Sequence, residues 1–389
     1  MRNHRPFVVA AFSWLAAVPA FAADPIFDQG RLHEVRLVMD PADWVALRQN
    51  FRSNDYYSAN ASLDGEVVQQ IGVRSRGKGS RSGEKPGLKL DFNKNVSGQE
   101  FHGYKSIEML NIVQDQSMLR EALSLAVFGA MGVPATQVGF ARLTVNDEYW
   151  GVYNIKEDIS KPFLGNNLGD KEGNLYKYEY ADIWGFSTRG GGDAGAYIPL
   201  PFEPKTNEKT YDPAALVGFI KAANDASEAG ITSAVSGYIE VNQFLTYIAV
   251  ENAVAESDGF LGYAGMNNFF LYQFTGQNKF IVLPWDKNNS FNNPEWPLFM
   301  RVDDNVLSKK LLANPTNRQF YVDQVKRAVN NYVNTAYLGP KLEALYTQIR
   351  EAVIADTKKP YSTNDFELAV NGLRGIIDAR RGDVAKQAP

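Results

Sequence analysis

The chain has 389 residues, 44% of them hydrophobic and 22% charged, and a net charge of −4. The length exceeds one small core and predicts one large two-lobed domain or two domains, while the acidic balance argues against broad nucleic-acid binding, which draws on a basic surface. The absence of cysteine excludes disulfides, thiolate zinc sites and a cysteine nucleophile, and of three histidines His4 falls in a segment expected to be removed, which leaves only His33 and His102 and no multi-histidine metal centre, so chemistry falls chiefly to carboxylates, amides, hydroxyls, lysine and arginine.

In chain order, MRNHRPFVVAAFSWLAAVPAFAADP comes first. Arg2 and Arg5 form a basic start, Phe7 to Val18 an apolar run too short to span a bilayer comfortably, and Ala20-Phe21-Ala22 an A-x-A site. These predict a signal peptide over 1–22, cleavage after Ala22, and an extracytoplasmic (periplasmic or secreted) chain without stable membrane insertion. HEVRLVMD reads as a strand. PADWVALRQN reads as a helix, with Asp40 as cap and Pro41 in its first turn. Asp64-Gly65 marks a hairpin. GKGSRSGEKPG is a glycine-rich basic loop, GLKLDFNK a strand and QSMLREALSLAVFGAMG a helix. Two strands flank Asn146-Asp147. Residues around 181–213 read as a long loop. Beyond it, DPAALVGFIKAAN, VNQFLTYIAVENAVAE, RQFYVDQVKRAVNNYV and PKLEALYTQIREAVIADTKK have helical spacing, interrupted by the hairpin NNFFLYQF and KFIVLPW. His33 opens a strand and His102 sits in a turn, and both read as structural residues. The expected class is α+β: an antiparallel β-rich lobe with one major helix over 23–160 and a mainly helical lobe over 161–389.

The stretch LPWDKNNSF ends a buried strand on a carboxylate and two amides. Asp258 lies after a helix, Asn267 and Asn268 precede the hairpin, and Asp286 follows it. A short hairpin brings its outer ends together, so Asn268 and Asp286 should be neighbours. Two acids facing one pocket at about 4 Å repel by roughly 4 kcal/mol at an effective dielectric near 20. A divalent cation removes that cost, and Mg²⁺ takes such oxygen ligands together with phosphate oxygens. Each acid alone also fits an ordinary turn, and the glycine-rich loop alone fits a solvated hairpin tip. In sequence order, however, the parts follow the logic of a protein-kinase site: a glycine-rich loop carrying Lys78, a strand lysine (Lys89), a helix glutamate (Glu121), an acid, a hairpin and a second acid. The strings VAIK, HRD and DFG are absent.

These residues resemble the spore coat protein H (CotH) family of atypical, protein-kinase-like proteins. The resemblance rests on DGEVVQQIGVRSRGKGSRS, KLDFN, SMLREALSLAVFGAMGVP, GVYNIKEDI, GNLYKYE, FEPKTN, VENAVAESDGFLGYAGMNNFFLYQF and LPWDKNNSF. It implies a two-lobed kinase-like fold, ATP with Mg²⁺ or Mn²⁺, and a protein substrate phosphorylated on Ser or Thr. It implies Asp258 as the catalytic acid/base and Asp286 as metal ligand, assisted by Asn267 or Asn268. Lys78, Lys89 and Glu121 would serve the nucleotide phosphates, with Tyr153 and Glu157 where adenine would sit. The family's common N-W-D is Glu256-Ser257-Asp258 here, so the acid is kept and its aromatic neighbour lost. Two rivals remain: a catalytically inactive kinase-like binding or structural protein of the cell envelope or secreted matrix, and a metal-dependent phosphohydrolase using the same acids.

Overall fold

The structure, a computed structural model, describes residues 24–388; the expected signal peptide lies outside the described residues. The expected α+β class is what it shows. The N-terminal lobe holds β1 (Leu32–Met39), α1 (Pro41–Gln49), β2 (Tyr57–Leu63), β3 (Glu66–Arg76), β4 (Gly87–Asp91), β5 (Ser106–Leu110), α2 (Arg120–Ala130), β6 (Val138–Val145) and β7 (Glu148–Lys156). The C-terminal lobe holds α3 (Lys161–Leu168), β8 (Asn174–Tyr178), β9 (Phe202–Pro204), α4 (Ala214–Asp225), α5 (Ile231–Val235), α6 (Val241–Ala253), β10 (Phe269–Gln273), β11 (Phe280–Pro284), α7 (Val306–Ala313), α8 (Pro315–Asn331), α9 (Leu338–Ala355) and α10 (Thr363–Gln387).

The N-terminal strands do more than form an antiparallel sheet. They close into a barrel in the order β1-β2-β3-β4-β5-β7-β6, sealed by a parallel β1–β6 pairing. Closure leaves no exposed edge. Local chemistry sets its corners. Asp40 accepts the Ala42 N–H at the start of α1. Asp64 (φ 49°) with Gly65 (φ 91°), and Asn146 (φ 48°) with Asp147 (φ 65°), turn two hairpins in the left-handed region that Asn, Asp and Gly tolerate. Inside, Val35, Leu37, Ile71, Val73, Leu88, Leu90, Ile107, Met109 and Ile155 are buried, and α1 adds Trp44 edge-on to Trp150. His33 is buried between Asp64 and the Asp28 carbonyl, the structural role its position suggests.

Helix α2 starts later than its apolar spacing predicts. Met118 is left-handed (φ 61°), and Asp115 caps the turn by accepting the Ser117 and Arg120 N–H groups. The helix packs on β6, α6 and α9, so it belongs to both lobes. Helix α6 is buried on all sides, as a helix apolar all round must be, and α8 lies along it. The second sheet runs β11-β10-β8-β9, with α3 covering one face through Phe163 and Leu164. No helix among the described residues is long and apolar enough to cross a membrane.

Candidate active site

A cleft of about 1740 Å³ separates the lobes. It is lined by the β3–β4 loop, β4 and β5 on one side, and by the Asp258 loop, Asn268 and the Trp285-Asp286 turn on the other. Asp258 and Asp286 therefore share one opening, as the sequence predicts. The β10–β11 hairpin places them. Its last pair is Phe269 with Pro284, and the Trp285 N–H donates to the Asn268 carbonyl (3.3 Å). Asn268 (φ 53°) and Asp286 (φ 51°) both sit in the left-handed region, so the backbone turns sharply at each outer end.

Asp258 follows the end of α6 by five residues and is held by the two predicted amides. Asn267 donates to Oδ1 (3.0 Å), and Asn268 donates to Oδ2 and to the Asp258 carbonyl (2.9 Å each). Burial raises the Asp258 carboxyl most; the Asn267 amide pulls it back, and the neighbouring Asp286 charge pushes it up again. With both amide nitrogens turned to Asp258, neither amide oxygen accepts a hydrogen bond among the described residues.

The barrel side corrects three sequence expectations. First, Glu121 pairs with Lys156, not Lys89, in an ion pair closed to solvent. The Lys156 ammonium also stands 3.7 Å from the Trp285 ring centroid, a cation–π contact next to Asp286. Lys89 instead meets Asp158 (3.5 Å) and is in register with Glu108. Burial works to lower the Lys89 ammonium, but Asp158 and Glu108 outweigh it and hold it above its ordinary value. Second, Tyr153 is buried in the barrel interior, where its ring meets the Lys85 ammonium. Third, Glu157 is buried against Tyr104 and the Gln137 N–H, outside the cleft.

Strand pairing and parity explain them. Alternate residues of a strand face opposite sides. On β7, Lys156 stands level with Glu108 of β5, which is level with Lys89 and then Arg74. That row, with Arg76 on Glu108 at 2.6 Å, is the barrel's cleft-side face. Tyr153 and Glu157 have the opposite parity. Burial pushes Glu108 up, but Arg76, Lys89 and Lys156 together carry it below the usual carboxylate range. Lys78 does reach the cleft, at its rim, where its ammonium donates to the Tyr180 carbonyl (2.7 Å) and so links the loop to the opposite lobe.

Burial pushes the Glu157 carboxyl up to about 7, only partly offset by its hydrogen bonds from Gln137 and Tyr104. A folded-state value above the ordinary 4.5 means that this group's stabilisation is complete below about pH 4.5 and is lost as pH rises through about 7. Glu157→Gln should thus match the parent near pH 4.5 and be more stable by about 2 kcal/mol near pH 8, read by urea unfolding at both.

Behind the two acids lies a network that the sequence reading missed. Lys287, fully buried, pairs with Glu251 (2.7 Å) and donates to the Asn268 carbonyl (2.9 Å). Glu251 also accepts the Phe260 N–H (3.0 Å) and Leu261 N–H (3.3 Å), fixing the loop after Asp258. Arg120 ties α2 to the Ser290 carbonyl at 2.9 Å. A glutamate inside the otherwise apolar run of α6 was the available signal.

A family model described as CotH kinase protein matches residues 73–383. The chain belongs to the CotH kinase family. It is 25% identical over 349 residues to the inner spore coat protein H of Bacillus subtilis, covering 87% of this chain and 92% of that one. It is 26% identical over 364 residues to invasin CotH7 of Rhizopus delemar, covering 87% of this chain but 58% of the longer invasin. The crystal structure of the Helicobacter pylori proinflammatory kinase CtkA aligns with a TM-score of 0.33 at 10% identity, over 78% of this chain and 92% of that one. In this member of the CotH kinase family, Asp258, Asn267, Asn268 and Asp286 line the cleft between the two lobes, and the buried Glu121–Lys156 pair stands behind them against Trp285.

Whether these groups fit a divalent ion is a question of donors. Among the described residues no three His, Cys, Asp or Glu side chains gather to hold a metal alone. A magnesium site completed by phosphate oxygens and water needs only one or two carboxylates. Asp286 would supply one, the amide oxygens of Asn267 and Asn268 would be further donors, and Glu121 Oε2 is buried without a partner beside the Asp286 charge. The donor set fits.

Proposed function

We propose that this chain is an extracytoplasmic protein kinase that transfers the γ-phosphate of ATP to Ser or Thr of a protein substrate. The observation that carries the reading is the convergence of Asp258 and Asp286 on one cleft, with the Lys156–Glu121 pair behind them. Asp258 orients the acceptor hydroxyl and takes its proton as the hydroxyl oxygen bonds to the γ-phosphorus. The bond from that phosphorus to the β–γ bridging oxygen breaks, and ADP leaves with the electron pair. Asp286, with the amide oxygens of Asn267 and Asn268, would hold Mg²⁺ or Mn²⁺, which supplies charge neutralisation to the β- and γ-phosphates. Lys156, fixed by Glu121, and Lys89 at the cleft wall present cations to the phosphates. The A-x-A segment, and relatives named as a spore coat protein and invasins, support an extracytoplasmic location.

One observation favours a second reading, a catalytically inactive binding or structural protein: both Asp258 oxygens already accept amide donors. Each oxygen keeps a second lone pair, so the base function stands. The full chain incubated with γ-labelled ATP, Mn²⁺ and a mixed protein acceptor should label Ser or Thr, and a chelator should stop it. Stabilisation by nucleotide without transfer would support an inactive, nucleotide-binding protein, and neither effect would favour an inactive structural one.

A further inference from the structure

Two loops carry the acids of the proposed site, and they are stitched together by side chains that touch neither nucleotide nor acceptor in that reading. Glu256 Oε1 accepts the Asp258 N–H at 2.7 Å, and Glu256 Oε2 accepts the Ser290 hydroxyl at 2.7 Å. The Ser290 hydroxyl oxygen lies 3.0 Å from the Lys287 carbonyl, directly after Asp286. The Ser257 N–H donates to the Asn289 carbonyl (3.0 Å), and the Phe291 N–H donates to the Val254 carbonyl (2.6 Å). Glu256 is 2% exposed, and Ser290 is fully buried. Its surroundings are Lys287, Glu251 and Tyr247 as well as Ser290 and the Asp258 backbone. A carboxylate in so enclosed a place needs a reason. The lysine it faces already has a partner in Glu251.

We propose that Glu256 is a positioning residue that couples the Asp258 loop to the Asp286 loop, one carboxylate oxygen on each. The inference rests on the kinase reading for its effect on transfer, and on geometry alone for the coupling. A rigid link between base and metal ligand matters because displacement of a reacting group by about 1 Å can cost on the order of a hundredfold in rate. Ser257 adds a second stitch: its hydroxyl oxygen accepts from Asn292 (3.0 Å), while the Asn292 amide also reaches the Asn289 carbonyl (2.5 Å). The residues that stand here in place of the family's Asn and Trp thus tie the same two loops.

The test compares Glu256→Ala with Glu256→Gln. The glutamine carbonyl can accept the Asp258 N–H, and its amide can donate to Ser290 Oγ, whose proton goes to the Lys287 carbonyl. Glu256→Ala should lower kcat by about tenfold or more with KM for ATP within about twofold, and Glu256→Gln should recover transfer to within about threefold of the parent. Hydrogen exchange, which needs no activity, reads the coupling itself. Glu256→Ala should speed exchange in both 255–262 and 286–292, and Glu256→Gln in neither. If Glu256→Ala does not fold, Ser290→Ala serves instead: cutting the far end of the link should speed exchange at 255–262. Loosening confined to the mutated segment, or a glutamine variant as damaged as the alanine, would overturn the proposal. A parent without transfer that still shows the two-loop exchange pattern would refute the kinase reading and leave the coupling intact.

Discussion

Asp286→Ala should all but abolish phosphoryl transfer and remove the stabilisation that nucleotide confers in the presence of Mn²⁺. In the proposed site Asp286 is the carboxylate that receives the ion, and Asn267 and Asn268 offer only neutral oxygens beside it. Loss of that charge should reduce transfer by about a thousandfold or more, roughly 4 kcal/mol of barrier. Nucleotide at about a hundred times its dissociation constant should stabilise the parent by roughly 2.7 kcal/mol, and the variant should lose most of it. The left-handed backbone at Asp286 (φ 51°) complicates an alanine, which carries a conformational cost of about 1 kcal/mol there. Unfolding of each protein without nucleotide measures that cost separately, and Asp286→Asn, at ease in this backbone, removes the charge without it. Asp258→Asn gives the contrast: transfer lost, nucleotide stabilisation kept. An Asp286→Ala variant with full Mn²⁺-dependent stabilisation would end the metal assignment.

The C-terminal lobe's half of the site was legible because its parts are local. Asp258, Asn267, Asn268 and Asp286 lie within one helix end and one hairpin, and a hairpin's geometry follows from its own sequence. The barrel's half was not, because it depends on pairing across strands. Ser106–Leu110 is a five-residue strand with a glutamate in its middle, too short and too mixed for its pattern to mark it as a strand. Without it, nothing linked Lys89 to Glu108 or Glu108 to Lys156. The first strand lysine after the glycine-rich loop is Lys89, whereas the one that meets Glu121 comes from β7, at the far side of β5. Tyr153 and Glu157 failed for the related reason of parity. Helix α10 is masked in the sequence although Phe366, Val370, Leu373, Ile377 and Val384 line one face, because three glycines and the run Asp378-Ala379-Arg380-Arg381 interrupt the pattern. Buried Arg380 explains the interruption: it donates to the carbonyls of Asn252, Ala253, Pro294 and Trp296, holding the end of α6 that leads to Asp258.

The largest effect on stability is expected far from the cleft, at Asp356. The basic segment GKGSRSGEKPG reads as a solvated loop, yet Lys85 within it is buried and pairs with Asp356, in the connection between α9 and α10, at 2.6 Å. Asp356 also accepts the N–H groups of Val152 (3.1 Å), Lys358 (2.9 Å) and Lys359 (3.1 Å). The approach is so close that a Cβ on Gly151 (φ 103°) would stand 2.2 Å from the carboxylate. The C-terminal helices are thereby fastened to the same strand, β7, that delivers Lys156 to the site. Burial lowers the Lys85 ammonium, and Asp356 is what opposes that shift. Removing one member of a buried pair leaves an uncompensated charge, so Asp356→Ala should destabilise the fold by about 3–5 kcal/mol. In a Lys85→Met background the same change should cost much less, since no ammonium is left stranded, with a coupling of about 2 kcal/mol in the double-mutant cycle. Urea unfolding of the four proteins decides it: a cost below about 1 kcal/mol for Asp356→Ala, or additive costs, would show that the pair does not fasten the lobes.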